Sequence, residues 1–269
     1  MKLAFSTLGC PSWGIDEILD AARVNGYDGV ELRFYRGSLD LDQALSDLPG
    51  GPREFRRRFQ RVGVAICCLD TSVKLTAEAS PSSEGERMME LALALGAPFL
   101  RVFGGDTPGG EGEEGAERGA AERLARLGRH AAQRGLRVLV ETHDAFATGA
   151  RVAGLLAAAG ETGTGALWDL HHPYRQGEPA AQTAQLIGAQ TCHVHVKDAR
   201  RDGSLTLLGE GELPLHEFLT ELHKLGYQGY VSLEWEKAWH RELADPEVAL
   251  PHASQHLSAL LRELGIPRG

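Results

Sequence analysis

Glu141, Asp169, His195 and Glu234 are the residues whose types and spacing could do chemistry together. They lie 28, 26 and 39 residues apart, each interval about one strand–helix unit. Each sits at the carboxyl end of a short apolar run: Val138-Leu139-Val140-Glu141, Leu167-Trp168-Asp169, His193-Val194-His195 and Val231-Ser232-Leu233-Glu234. A strand sends alternate side chains to opposite faces. His193, His195 and Lys197 therefore share one face of their strand, with Val194 and Val196 on the other. If consecutive strands aim Glu141, Asp169, His195 and Glu234 at one place, three carboxylates repel one another and each loses hydration. A divalent cation relieves both penalties. Three oxygens and one imidazole suit Mn²⁺ first, or Mg²⁺ or Co²⁺, better than a closed structural Zn²⁺ site, with Zn²⁺ as an alternative. For any one of these acids alone, a salt bridge at a strand end is the simpler reading. The four together point to one bound metal ion.

The elements that must position them alternate along the chain. Strands are expected at Lys2 to Leu8, Asp28 to Arg33, Val62 to Leu69, Pro98 to Phe103, Leu136 to Thr142, Gly165 to Leu170, the Cys192–Asp198 stretch, and Tyr230 to Glu234. Helical spacing recurs between them, from Ile15, Ile18, Leu19 and Ala22 to a last helix ending near Gly265. Ser83-Glu84-Gly85-Glu86 resembles a capping box that starts the helix through Leu95. Gly26-Tyr27-Asp28-Gly29 reappears as Gly226-Tyr227-Gln228-Gly229, each copy closing a helix and opening a strand. Gly104 to Gly119 reads as a surface loop running into a polar helix start, or as a flap over the strand ends. Strands apolar on both faces with a helix after each argue a parallel sheet covered by helices. Eight such units in 269 residues predict a single (β/α)8 barrel, one domain over residues 1–269.

Composition narrows the partners. A formal net charge of −9 argues against a nucleic-acid surface, and no apolar run reaches the roughly 20 residues needed to span a bilayer. Cys10, Cys67, Cys68 and Cys192 lack C-x-x-C spacing and read as reduced thiols, so the protein is expected in the cytoplasm. Glu31, Arg33 and Arg101 share the inward parity of their strands. Arg101 either holds a carboxylate or phosphate of the substrate or pairs internally with Glu31. His171, His193, His130 and the helix histidines read as packed or polar residues without a role. Trp13 and Trp235 lie near strand ends, where they could wall a ligand site.

These residues resemble the sugar phosphate isomerase/epimerase family of xylose isomerase-like TIM barrels, which includes the ketose 3-epimerases. The resemblance runs from Lys2 to about Leu264. Its most specific parts are Glu141, the Asp169-x-x-His172 pair, His195 with Arg201 six residues on, and Glu234 within Ser232-Leu233-Glu234. It implies that Glu141, Asp169, His195 and Glu234 bind the metal, that the two glutamates exchange a proton, and that His172 and Arg201 contact substrate. Glu141-Thr142-His143-Asp144 departs from the Glu-Pro-x-Asn segment usual in the epimerases. His143 there either binds substrate or water, or hydrogen-bonds Asp144. His143 and Lys197 join the candidate substrate contacts.

The expectation is a metal-dependent isomerase or epimerase acting on a small polyhydroxy carbonyl compound, with Glu141 and Glu234 as base and acid around an ene-diolate. The alternatives are a lyase resembling inosose dehydratase, which begins with the same proton abstraction, and a non-catalytic sugar- or metal-binding barrel. No nucleic-acid or membrane partner is expected, and a homo-oligomer is compatible with the sequence. The three-zinc endonucleases of the same superfamily need histidines on strands three and four, where this chain carries Cys67, Cys68 and Arg101.

Overall fold

Valine, leucine, isoleucine and phenylalanine crowd the strand segments, and a sheet so apolar has to be covered. The computed structural model describes residues 1–77 and 81–269, without the side chains of residues 81–83 and 111. Its sheet closes on itself. Strands β1 (Lys2–Ser6), β2 (Gly29–Leu32), β3 (Ala65–Lys74), β4 (Phe99–Phe103), β5 (Arg137–Glu141), β6 (Thr164–Asp169), β7 (Thr191–Val196) and β8 (Tyr230–Leu233) each pair in parallel with the next. β8 returns to β1 in the register Leu3 to Val231 and Phe5 to Leu233, so the barrel has no free edge.

The expected helices surround it at Ile15–Val24, Gly51–Val62, Pro81–Leu95, Glu113–Ala132, Gly149–Ala159, Ala180–Ile187, Leu215–Lys224 and Pro246–Glu263. Their amphipathic stripes meet the outward side chains of the strands, among them Phe5, Leu32, Leu100, Val140, Trp168, Val196 and Leu233 in one buried cluster. Trp168 is fully buried edge-on against Phe218, their rings 4.6 Å apart. The alternate strand residues therefore face the barrel interior. That face is polar: Glu31, Cys68, Asp70, Arg101, Glu141, Asp169, His193, His195 and Ser232 are all buried.

The Gly-Tyr-x-Gly repeat marks two equivalent corners. Gly26 and Gly226 adopt φ of 69° and 71°, a left-handed conformation that costs glycine little. The next N–H then reaches back to close the helix end, Tyr27 to the Ala22 carbonyl at 2.9 Å and Tyr227 to the Leu222 carbonyl at 3.0 Å.

Four details differ from the sequence reading. The third long helix begins at Pro81, two residues before the expected cap, and the Ser83 side chain lies outside the described residues. The segment after β4 is helical from Glu113, so the irregular stretch is shorter than Gly104 to Gly119. β3 runs on to Lys74, five residues past its expected end. Short helices Leu41–Ser46 and His171–Arg175, and a hairpin pairing Asp198–Ala199 with Leu205–Thr206, occupy the loops after β2, β6 and β7.

Candidate active site

Four neighbouring strands deliver the four candidate ligands to one end of the barrel. Glu141 and Asp169 end β5 and β6, His195 is the last residue but one of β7, and Glu234 directly follows β8. Asp169 and Ser232 both pair in register with His195, which fixes the heights of β6 and β8 against β7. One ligand atom from each of Glu141, Asp169, His195 and Glu234 lies within 4.8 Å of every other, and all four residues are buried. Thr142 pins Asp169 from the adjacent strand: its hydroxyl accepts the Asp169 N–H at 2.9 Å and donates to the Asp169 carbonyl at 3.1 Å. Asp169 Oδ1 accepts the His171 N–H at 2.6 Å, leaving Oδ2 without a hydrogen bond; Glu141 Oε2 also lacks one.

His195 joins two layers. Nδ1 faces Glu141 Oε1 at 3.0 Å and Glu234 Oε2 at 3.6 Å, while Nε2 lies 2.8 Å from Glu31 Oε2. His193 Nε2 approaches the same Glu31 oxygen at 2.6 Å. A carboxylate only accepts, so the network assigns an N–H to both Nε2 atoms and directs Nδ1 of His195 at the upper cluster. Beside this layer, Arg101 lies 3.3 Å from both Asp70 Oδ2 and Glu141 Oε2, with its guanidinium 4.0 Å over the Phe103 ring. Cys68 Sγ donates to Asp70 Oδ1 at 3.3 Å. Lys197 enters from the other side, with Nζ 3.0 Å from Asp169 Oδ2, donating to Glu236 at 2.7 Å and to Glu234.

Charge follows from these contacts. Burial pushes the Glu141 carboxyl up, but Arg101 and His195 outweigh it and hold the group at about 2. Burial opposes ionisation of Glu234 too, and Lys197 and His195 bring it to about 2. Both glutamates are thus ionised at neutral pH. Burial disfavours a charged His195, yet Glu31, Glu234 and Glu141 raise its pKa well above the ordinary value. Asp70 is shifted strongly upward by burial and by the Glu31 charge, against the pull of Arg101.

The donor set fits a divalent cation. Three carboxylates and an imidazole converge, and the buried Glu141 Oε2 and Asp169 Oδ2 accept no hydrogen bond there, meeting instead the ion-pair partners Arg101 and Lys197. Two other groups bring ligand atoms as close, Glu31–His193–His195 and Glu31–Cys68–Asp70. Cations stand beside all three groups, the histidines and Arg101 beside those two and Arg101 and Lys197 beside the first; what sets the first apart is that it joins three carboxylates to one imidazole.

The remaining sequence-predicted residues are placed as follows. His172 lies on the short helix after β6 with Nε2 3.8 Å from Asp169 Oδ2; burial pushes it down to about 4. The His143 ring stands 4.3 Å from that of His172 and 4.7 Å from Phe103, with Nδ1 2.7 Å from Asp144 Oδ1. Its Asp144 bond is therefore made, and Nε2 is the atom left for a ligand. Arg201 is exposed, beside the hairpin turn, in a cleft with Tyr174, Arg175 and Arg200. Among the described residues, no hydrogen bond or ion pair joins its side chain to the four ligands. The Arg101 ion pairs are internal, but with Asp70 and Glu141: His193 and His195 take up Glu31 instead. His193, read as a residue without a role, is fully buried in this network. Asp70 was missed, although Cys68-Leu69-Asp70 carries the same alternation as the other strands. Trp235 is buried and donates to the Ala244 carbonyl at 2.9 Å, while Trp13 packs partly buried against the core.

Comparison with known proteins is consistent with this architecture. The profile described as xylose isomerase-like TIM barrel matches residues 19–260. The chain belongs to that family. A Streptomyces coelicolor protein provisionally named hydroxypyruvate isomerase is 30% identical over 173 residues, covering 58% of this chain and 61% of the relative. The 3-dehydroshikimate dehydratase of Pseudomonas putida is 25% identical over 241 residues, or 82% of this chain and 36% of the relative. The chain thus spans less than two thirds of each of these curated relatives. Among solved structures, the IolI protein with a bound zinc atom superposes with a TM-score of 0.83 at 18% identity, covering 98% of this chain and 99% of that one. At that identity the likeness concerns the fold.

Proposed function

We propose that this chain is a divalent-metal-dependent isomerase or epimerase of a small hydroxy-carbonyl compound, working as one domain over residues 1–269. The observation that carries the reading is the convergence of Glu141, Asp169, His195 and Glu234, buried and within 4.8 Å, at the barrel end where enzymes of this fold keep their sites. These four would hold the cation, which when bound supplies Lewis-acid polarisation of a carbonyl and its neighbouring hydroxyl. The chain's own residues then handle the proton. Glu141 or Glu234, both ionised, takes it from the carbon next to the carbonyl. Return by the same glutamate moves the proton along one face, as in an aldose–ketose isomerase. Delivery by the other glutamate inverts the carbon, as in an epimerase. His172, His143 and Lys197 would orient the substrate, with Arg201 reaching over from the hairpin. Mn²⁺ is the ion we assign, with Mg²⁺, Co²⁺ and Zn²⁺ as alternatives; the zinc in the IolI structure keeps Zn²⁺ in view.

The test pairs metal content with proton exchange. Elemental analysis after reconstitution with Mn²⁺, Co²⁺ or Zn²⁺ and desalting should find one ion per chain, lost in Asp169→Asn. Turnover of ketoses, keto-sugar phosphates and hydroxy-keto acids in D₂O should place deuterium at the carbon next to the carbonyl. Protein that retains no metal, or product free of deuterium, would overturn the reading. A dehydratase is the second reading, favoured by the likeness to the Pseudomonas putida enzyme over 82% of the chain. It would lose hydroxide after the same abstraction and reveal a new ultraviolet-absorbing enone.

A further inference from the structure

Arg33 directly follows β2 at the same end of the barrel and is only 7% exposed. Its backbone is pinned there: the N–H groups of Arg33 and Phe34 both donate to Thr7 Oγ1, at 2.9 and 3.1 Å. A guanidinium presents five donors in a rigid fork. One of these, on Nη1, donates to Ser72 Oγ at 3.1 Å. Ser72 continues the inward-facing row of β3 beyond Cys68 and Asp70, and it is exposed, so this bond lies where solvent reaches the barrel mouth. The other two buried cations of the site are neutralised: Arg101 by Asp70 and Glu141, Lys197 by Asp169, Glu234 and Glu236. Arg33 differs from both. Among the described residues, no carboxylate oxygen comes within 4.0 Å of it.

A buried, unpaired cation is costly to keep. We infer that Arg33 is an anion anchor, and that the substrate carries a carboxylate or phosphate at the end remote from its reacting carbonyl. The inference rests on the barrel mouth being the substrate site. Topology supplies the direction: β2 stands across the closed barrel from β6, so Arg33 enters the mouth from the side opposite Asp169. The substrate is therefore a hydroxy-keto acid or a keto-sugar phosphate, with the oxyanion on the Arg33 fork beside the Ser72 hydroxyl. Burial and the nearby Arg101 charge push the Arg33 pKa down to about 10 against the pull of Asp70, Glu234 and Glu141, so the guanidinium is charged at neutral pH.

Calorimetric titration with three probes on one skeleton tests this: glycerol, glycerate and glycerol 3-phosphate. The wild-type protein should bind at least one anion more than tenfold more tightly than glycerol, and which anion it prefers separates carboxylate from phosphate. Arg33→Gln should erase that preference and Arg33→Lys keep part of it. Because Gln removes an unpaired buried charge, the melting temperature should hold or rise. Equal binding of glycerol and both anions by the wild-type protein would overturn the inference. So would an anion preference that survives in Arg33→Gln, or a variant that melts early with its preference intact. The isomerase reading fails separately, if Arg33-dependent anion binding is found but the metal-loaded protein turns over no hydroxy-ketone, anionic or neutral.

Discussion

Glu31→Gln probes the layer beneath the four proposed metal ligands. One oxygen of this fully buried carboxylate accepts from both His193 and His195, at 2.6 and 2.8 Å. Glutamine keeps an oxygen at nearly the same place, so the geometry survives while the charge is lost. Hydrogen bonds to a charged partner contribute about 1.5–3 kcal/mol and neutral ones about 0.5–1.5. Two bonds moving from the first class to the second cost about 2–3 kcal/mol. In a chain of this size that is a fall in Tm of roughly 5–10 °C for the metal-free protein. The second consequence is local. Glu31 fixes the Nε2–H of His195 and so turns Nδ1 toward Glu141 and Glu234. Removing such a partner of a metal-ligating histidine typically weakens metal binding by about 10–100-fold. Calorimetric titration with Mn²⁺ measures this, and differential scanning calorimetry of the metal-free protein measures the first effect. A lowered Tm with unchanged metal affinity would reduce Glu31 to a packing role and refute the reasoning about His195.

Three further perturbations follow from the same contacts. Arg101→Met leaves Asp70 and Glu141 buried without their shared counter-charge; it should cost about 3–5 kcal/mol in urea unfolding, partly restored by added divalent cation. His172 is held at about 4, below its ordinary value of 6.5, so the unfolded chain takes the proton first. Its contribution is therefore intact above pH 6.5 and declines as pH falls to 4, by about 3 kcal/mol, and His172→Gln should flatten that limb of the stability–pH curve of the metal-free protein. Gly26→Ala forces a side chain into the left-handed region at the helix end and should cost about 1–2 kcal/mol by denaturant titration, with metal content unchanged.

What the sequence reveals of this site depends on which rule each residue obeys. Glu141, Asp169, His195 and Glu234 obey two local rules, the two-residue alternation of a strand and its position at the carboxyl end, repeated in four strands. Four repetitions suffice to predict convergence. The charged layer below obeys a different rule. Alternation shows that Glu31, Asp70, Arg101 and His193 point inward, but their partners depend on strand heights. β3 extends past Leu69 to bring Asp70 opposite Arg101, and register shifts at Val30/Glu31 and Ala166/Leu167 reset the neighbouring strands. A one-residue slip would give Arg101 another partner. The loops follow neither rule. Buried Asp198 accepts the N–H groups of Gly209, Gly211 and Leu213 at 2.8, 3.0 and 3.1 Å, tying the segment after the hairpin that carries Arg201 back onto its first strand. Those partners are 11 to 15 residues away, with no period to announce them. Ligands set by repetition are legible in a single chain, whereas groups set by pairwise contact across the barrel, Arg33 included, become legible only once the strand heights are known.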